Sequence, residues 1–201
     1  MTHVLNLYAG VGGNRQRWRG GHVTAVEYDR NIARAYKRRF PQDTVICADA
    51  HQYLLDHYRE FDAIWSSPPC PSHSRMRTTH STKGTKPVYP DMKLYEEIIF
   101  LRHFVKVPWV VENVIPYYKP LIEPSRIISR HTFWSNRWIA PKHFPPLYSG
   151  QLAALTVAEM QDIYEIDLPA GGGFSRRKVL RNMVFPELGR YVMGEILKER
   201  Y

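Results

Sequence analysis

Little in this sequence would staple or anchor a chain. Among its 201 residues there are two cysteines, Cys47 and Cys70. Two thiols without a CxxC spacing exclude a disulfide framework and the common structural zinc sites, so no metal is expected. A reducing, cytoplasmic setting fits that cysteine usage. No stretch approaches the ~18 apolar residues of a membrane span, so no membrane association is expected. The first apolar run, Val4 to Val11, is short and broken by Asn6 and Gly10, unlike a secretion signal. Acidic residues are scarce as well: 19 against 28 lysines and arginines, for a formal charge of +9. That excess favours an anionic partner, nucleic acid first, although a solvated basic face gives the same charge. There is no internal repeat and no low-complexity segment.

What is present reads as a globular chain, 44% hydrophobic and 23% charged, of a size suited to one domain with a real core. Short apolar runs alternate with helical patterns. Val4–Tyr8, Val23–Glu27, Thr44–Ala48, Phe61–Trp65 and Trp109–Val111 read as strands, and 31–40, 52–58 and 91–104 as helices between them. Asp91 is positioned to cap the third helix, with Leu94, Ile98, Leu101 and Phe104 or Val105 on one side. Ile127-Ile128 and Phe133-Trp134 suggest an antiparallel pair. Thr156 to Glu159 fits a capping box opening a short helix, and Pro186 opens a final one. Strand and helix in alternation predict an α/β fold: a doubly wound, mostly parallel sheet.

The chemistry-bearing residues fall at the carboxyl ends of these strands, where ligands of such sheets sit. The turn Gly10-Val11-Gly12-Gly13 follows the first strand, as a nucleotide-like cofactor requires. Glu27 ends the second strand, placed either to accept ribose hydroxyls or simply as a solvated strand end, and Asp49 ends the third. Cys47, in mid-strand, reads as core. Lys37, Arg38 and Arg39 suit the end of a helix dipole, and Arg176, Arg177 and Lys178 a solvated helix start. Pro68 and Pro69 stiffen the backbone that presents Cys70. Read alone, Cys70 is equally an ordinary buried thiol. A long basic loop, 71–90, follows it and is either a phosphate-tracking or a plain flexible segment. Glu112-Asn113-Val114 closes the fifth strand.

In this order the motifs resemble the cytosine-C5 DNA methyltransferase family. Tyr8-Ala9-Gly10-Val11-Gly12-Gly13 looks like its cofactor loop, Glu27-Tyr28 like its ribose and adenine-edge pair, and Asp49 like its adenine contact. Pro68-Pro69-Cys70 with Ser74 looks like its catalytic loop, Glu112-Asn113-Val114 like its ENV motif, and Asn182-Met183-Val184-Phe185-Pro186 like the last motif, folded back beside the cofactor. The resemblance implies a fold of the S-adenosylmethionine-dependent, Rossmann-like methyltransferase type. It also implies S-adenosylmethionine as cofactor, held by Tyr8, Ala9, Gly10, Gly12, Gly13, Glu27, Tyr28, Asp49, Ala50, Pro69, Asn182 and Met183. Gly12→Val would then block cofactor binding by filling space that the backbone must leave open. Cys70, Glu112 and Arg130 would be catalytic, and Ser74, Arg75, Arg77, Lys83 and Lys86 would contact nucleic acid, DNA in the first instance, in a bacterial or phage-infected cell.

The implied chemistry explains these residue types. A Cys70 thiolate, its ionisation aided by surrounding positive charge, would add to carbon 6 of cytosine and make carbon 5 nucleophilic. Glu112, kept protonated by burial, would donate to ring nitrogen 3. A base in a duplex would be flipped out first. An amino-methyltransferase would need an aromatic where Cys70 stands.

The chain also departs from the family pattern. Pro71 replaces the usual Gln and His73 the usual aromatic, and of the Gln-x-Arg-x-Arg strand only Arg126 or Arg130 would remain. The whole chain, 1–201, is expected to be a single catalytic domain with a reduced recognition region at about 135–178. That shortness implies low specificity, a separate specificity protein, or a small or single-stranded substrate. The alternatives are an RNA cytosine-C5 methyltransferase and a catalytically weak nucleic-acid-binding subunit that needs a partner.

Overall fold

The protein is described by a computed structural model covering residues 2–75, 86, 88–145 and 154–198. Five strands run parallel: β1 (His3–Leu7), β2 (His22–Val26), β3 (Thr44–Ile46), β4 (Ala63–Ser66) and β5 (Trp109–Val114). A hairpin of β6 (Arg126–Ile128) and β7 (His131–Ser135) completes a seven-stranded sheet among the described residues, in the order β3-β2-β1-β4-β5-β7-β6. The helices are α1 (Arg30–Arg39), α2 (Ala50–His57), α3 (Lys93–Phe104), α4 (Val157–Tyr164), α5 (Arg176–Asn182) and α6 (Pro186–Leu197). The doubly wound, mostly parallel α/β architecture expected from strand–helix alternation is the one observed. Order reverses at β1, so the chain leaves β1 and β4 toward opposite sides of a cleft, and the tips of β1, β2, β4 and β5 share one edge.

Strand residues alternate between two cores. Leu5, Leu7, Ile64, Val111 and Trp134 face a layer containing Leu54 of α2 and Leu94, Ile98 and Leu101 of α3. Val4, Ala63, Trp65, Val110 and Phe133 face Leu188, Val192, Met193 and Ile196 of α6. Burial on both sides explains why these strands read as continuous apolar runs. Antiparallel β7 lies against β5, pairing Glu112 with Phe133 and Val114 with His131. The two-residue turn before β7 holds Ser129 at φ 54, a left-handed conformation.

Several local expectations change. Cys47 is exposed rather than core, because β3 is a three-residue edge strand that ends before it. Asp91 does not cap α3 from the N-cap position. Met92 sits there without a side-chain cap, while Asp91 accepts from the Lys93 N–H at 3.1 Å. Phe104 is 60% exposed, and Val105 fills the inward place. The Thr156–Glu159 capping box and the Pro186 helix start are both present.

One buried charge pair supports the cofactor-side half of the sheet. Arg15 grips Asp43 with two nitrogens, at 2.9 and 3.0 Å, and the Tyr36 hydroxyl donates to the same carboxylate at 2.9 Å.

Candidate active site

The glycine loop leaves β1 through Tyr8, which adopts φ 54, and then Gly10 at φ 55. The Ala9 N–H bonds the Val26 carbonyl at 3.0 Å, so β2 sets the height of the loop. A side chain at Gly10 would meet nothing within 4 Å, so bare backbone faces open space there. The Gly10 N–H donates to Glu27 at 3.0 Å, and the other Glu27 oxygen accepts from the Asp29 N–H at 2.8 Å. Burial pushes the Glu27 carboxyl above its ordinary range, against the pull of those two N–H groups. Tyr28 is 78% exposed at the next position, and Asp49 caps α2 by accepting from the Gln52 N–H at 2.9 Å. Open backbone beside a half-buried acid, with an exposed aromatic at the next strand tip, fits a ribose-bearing cofactor. Ala9 and Ala50 have buried side chains, so they can offer such a ligand only backbone.

The other two glycines serve the fold. A Cβ on Gly12 would come within 2.4 Å of Phe40 and 2.8 Å of Tyr36, and on Gly13 within 2.8 Å of the Val184 carbonyl. Gly12 therefore faces the α1 side chains, not the open cradle, which corrects the reason given for its sensitivity. Gly13 makes room for the segment 182–186, which packs against the loop with Met183 and Val184 buried and Asn182 exposed. Gly12→Ala, at φ 80 and against two aromatic rings, is expected to cost roughly 1–3 kcal/mol of stability. Chemical denaturation is the check. Full stability with lost ligand affinity would return Gly12 to the cradle.

Arg39 is more than a helix-end cation. It donates to the Val11 carbonyl and, at 2.7 Å, to Gln16, clamping the loop from below, and burial lowers its pKa. Its spacing from the glycines gives no hint of this.

Cys70 lies four residues past β4 in a tight turn, where its carbonyl accepts from the His73 and Ser74 N–H groups at 3.0 and 3.1 Å. Pro68 is buried and Pro69 exposed. The Asn113 amide donates to the Pro68 carbonyl at 3.0 Å, so the tip of β5 holds the Pro-Pro segment directly. His73, in place of an aromatic, is fully buried, with Nδ1 2.6 Å from the Tyr118 hydroxyl. Ser74 bridges to Pro116.

Glu112, 6% exposed, has one carboxyl oxygen 2.6 Å from Nδ1 of His131, itself 4% exposed. His131 escaped the sequence reading, because nothing in its local spacing ties it to a residue nineteen positions earlier. Arg130 donates to the Tyr164 hydroxyl at 3.2 Å, to the Arg181 carbonyl at 3.3 Å and to the Met183 carbonyl at 3.0 Å. It joins the β6–β7 turn to the 182–186 segment.

The charges of Glu112 and Arg130 both act on the Cys70 thiol. Burial and, after it, the Glu112 charge push the Cys70 thiol above its ordinary value, while Arg130 pulls the other way. The expectation that surrounding positive charge favours ionisation is thus corrected: one arginine does not offset desolvation and a neighbouring carboxylate. Of the loop cations, Arg75 and Lys86 are exposed, and Arg77 and Lys83 lie outside the described residues. A cavity of about 280 Å³ between α1 and residues 169–174, lined by Arg34 and Arg38, contains none of the predicted site residues. Among the described residues no cluster of metal ligands and no helix long and apolar enough to cross a membrane occurs.

Comparison with known proteins places residues 2–111 in a match to the family described as C-5 cytosine-specific DNA methylase. A DNMT2 mutant from Spodoptera frugiperda is similar at 24% identity over 57% of this chain and 36% of its own, with a TM-score of 0.41. An S-adenosylmethionine-dependent methyltransferase from Agrobacterium tumefaciens is 18% identical over 58% of this chain and 40% of its own, with a TM-score of 0.39. The Entamoeba histolytica methyltransferase EhMeth is 13% identical over 57% and 38%, with a TM-score of 0.38. The chain thus covers 36–40% of the length of these three proteins. No curated protein matches it.

Proposed function

The chain belongs to the C-5 cytosine-specific DNA methylase family, and on that premise we propose that it transfers a methyl group from S-adenosylmethionine to carbon 5 of cytosine in DNA, through a covalent Cys70 adduct. The observation that supports this reading is that Asn113, at the tip of β5, bonds the Pro-Pro segment that presents Cys70, while the charges of the neighbouring Glu112 and of Arg130 both act on the thiol. Glu27 accepts the ribose hydroxyls, Gly10 leaves the backbone open to the ligand, and Tyr28 and Asp49 flank the adenine. Asn182 and Met183 border the same cradle. When bound, S-adenosylmethionine supplies an electrophilic methyl group to carbon 5.

This chain's residues do the rest. The Cys70 sulfur bonds carbon 6 of the base, and electron density moves toward ring nitrogen 3. Glu112 gives a proton there and takes it back when the adduct breaks down. His131 holds the carboxyl in one rotamer, leaving its second oxygen for the base. Arg130 offsets charge on the thiolate before attack and is anchored by two backbone carbonyls. Loss of the carbon 5 proton to water expels Cys70 as thiolate and restores the enzyme.

Residues 1–201 act as a single catalytic domain with a reduced recognition region at about 135–178. Its helices α4 and α5 pack through Met160, Tyr164 and Leu180 against Val11 and Ala35, beside the glycine loop. On this reading a separate specificity protein accounts for any sequence preference.

The test is transfer of labelled methyl groups to cytosine-containing DNA and RNA, with 5-methylcytosine identified by mass spectrometry. Label in DNA is expected. Label confined to RNA would move the substrate, and cofactor binding without label in either would leave a binding subunit. Glu112→Gln keeps the shape but loses the transferable proton, and is expected to lower turnover by about 10²–10⁴-fold. Calorimetry should find its cofactor affinity within about threefold of the parent. A loss of affinity would put Glu112 in the cofactor site instead.

A further inference from the structure

We propose that Glu97 is a positioning residue that locks the cofactor loop and the Cys70 loop into one mutual register, so that a change in either is felt by the other. The inference rests on the reading of those two loops given above.

Glu97 is completely buried on the inner face of α3. Its carboxyl gathers three side chains from three different elements. The Tyr8 hydroxyl donates from the end of β1, the Ser66 hydroxyl donates at 2.7 Å from the last residue of β4, and His51 Nδ1 lies 3.1 Å away in the first turn of α2. Each of these residues stands where its chain segment enters the site. Tyr8 begins the glycine loop, Ser66 is four residues before Cys70, and His51 follows Asp49 and Ala50.

A carboxylate inside a helix finds its own helix's N–H groups already bonded, so its partners must come from other elements. Desolvating a carboxylate is costly, so its partners are held firmly, and here all of them are site-bearing tips. The backbone adds a second sign. Tyr8 sits at φ 54, a left-handed conformation that a residue with a Cβ rarely adopts, and its hydroxyl is tied to Glu97. The hydrogen bond to Glu97 raises the pKa of His51, which Glu96 and Lys93 of the same helix also face.

The test uses two conservative variants in a Cys47→Ser background, so that Cys70 is the only thiol. Tyr8→Phe removes a hydroxyl from the cofactor loop, and Ser66→Ala removes one from the approach to Cys70. Neither leaves a large cavity. Two readouts are taken for each: S-adenosylmethionine affinity by calorimetry, and the rate of Cys70 alkylation by iodoacetamide without cofactor. The inference expects crossed effects. Tyr8→Phe should change the alkylation rate of Cys70, and Ser66→Ala should weaken cofactor binding, each by about 5–10-fold, with the double variant less than additive. Glu97→Gln should retain part of the coupling and Glu97→Ala none.

If each variant alters only its own loop's readout, or if melting temperatures fall while both readouts stay constant, Glu97 is a structural acid and the inference is overturned. The alkylation arm needs no methyl transfer. A parent protein inactive on DNA and RNA would therefore sink the functional reading while the loop coupling was still being measured.

Discussion

Cys70→Ala is expected to remove methyl transfer altogether, a loss on the order of 10⁴-fold or more, because no other group can form the bond to carbon 6. The same variant should form no covalent complex with DNA containing 5-fluorocytosine, a base that traps the adduct by withholding the departing proton. Cofactor affinity should hold within about threefold, since the thiol is not part of the glycine cradle. The pH dependence carries a sign. Burial and the Glu112 charge raise the folded-state pKa of Cys70 above that of a free thiol. At neutral pH the reactive thiolate is therefore a smaller fraction than in a free cysteine, and adduct formation should accelerate as pH rises from about 7 toward 9. A flat profile over that interval, with chemistry rate-limiting, would mean that substrate or cofactor binding ionises Cys70 first. An adduct formed by Cys70→Ala would end the thiolate mechanism.

Asp43→Ala should cause the largest loss of stability of any single change considered. Asp43 is 1% exposed and receives two Arg15 nitrogens and the Tyr36 hydroxyl. Removing it strands a guanidinium inside the protein, which typically costs about 3–5 kcal/mol. For a chain of this size that corresponds to a fall of roughly 6–20 °C in melting temperature. Replacing both partners, as in Arg15→Met with Asp43→Leu, should recover much of the loss, since the penalty comes from the uncompensated charge rather than from the absence of a pair. Calorimetric melting of the single and double variants decides it. A double variant as unstable as Asp43→Ala would mean that the geometry of the pair, and not its charge, holds the β2–β3 side together. The pair matters to function because Tyr36 also forms the wall that Gly12 faces.

The parallel strands, the capping box at Thr156 and the helix start at Pro186 were legible because each is a local pattern: apolar periodicity, a hydroxyl three residues before an acid, a proline at the first helical position. Cys70 and Glu112 became candidates through the resemblance of their motifs to a known family, and their places at strand ends agreed with it. Strand tips of a doubly wound sheet converge, so motifs that end strands must meet. Other features were hidden. The pairing of His131 with Glu112 depends on antiparallel β7 lying against β5 in one register, and a shift of one residue would turn the imidazole to the opposite face. Glu97 stands next to Glu96 on one helix, and only the packing of α3 against the sheet buries the one and leaves the other exposed.

What the sequence determined by itself was the order of elements and the edge at which the chemistry-bearing residues gather, since those follow from period and spacing along the chain; the nucleophile and acid candidates came from the resemblance of its motifs to a known family. The tertiary structure decided which side of each loop is empty and which is packed, which carboxylate is shared with a histidine, and whether the thiol is made more or less acidic. Those properties depend on desolvation and on contacts between residues far apart in the chain, and neither is written in the order of neighbouring residues.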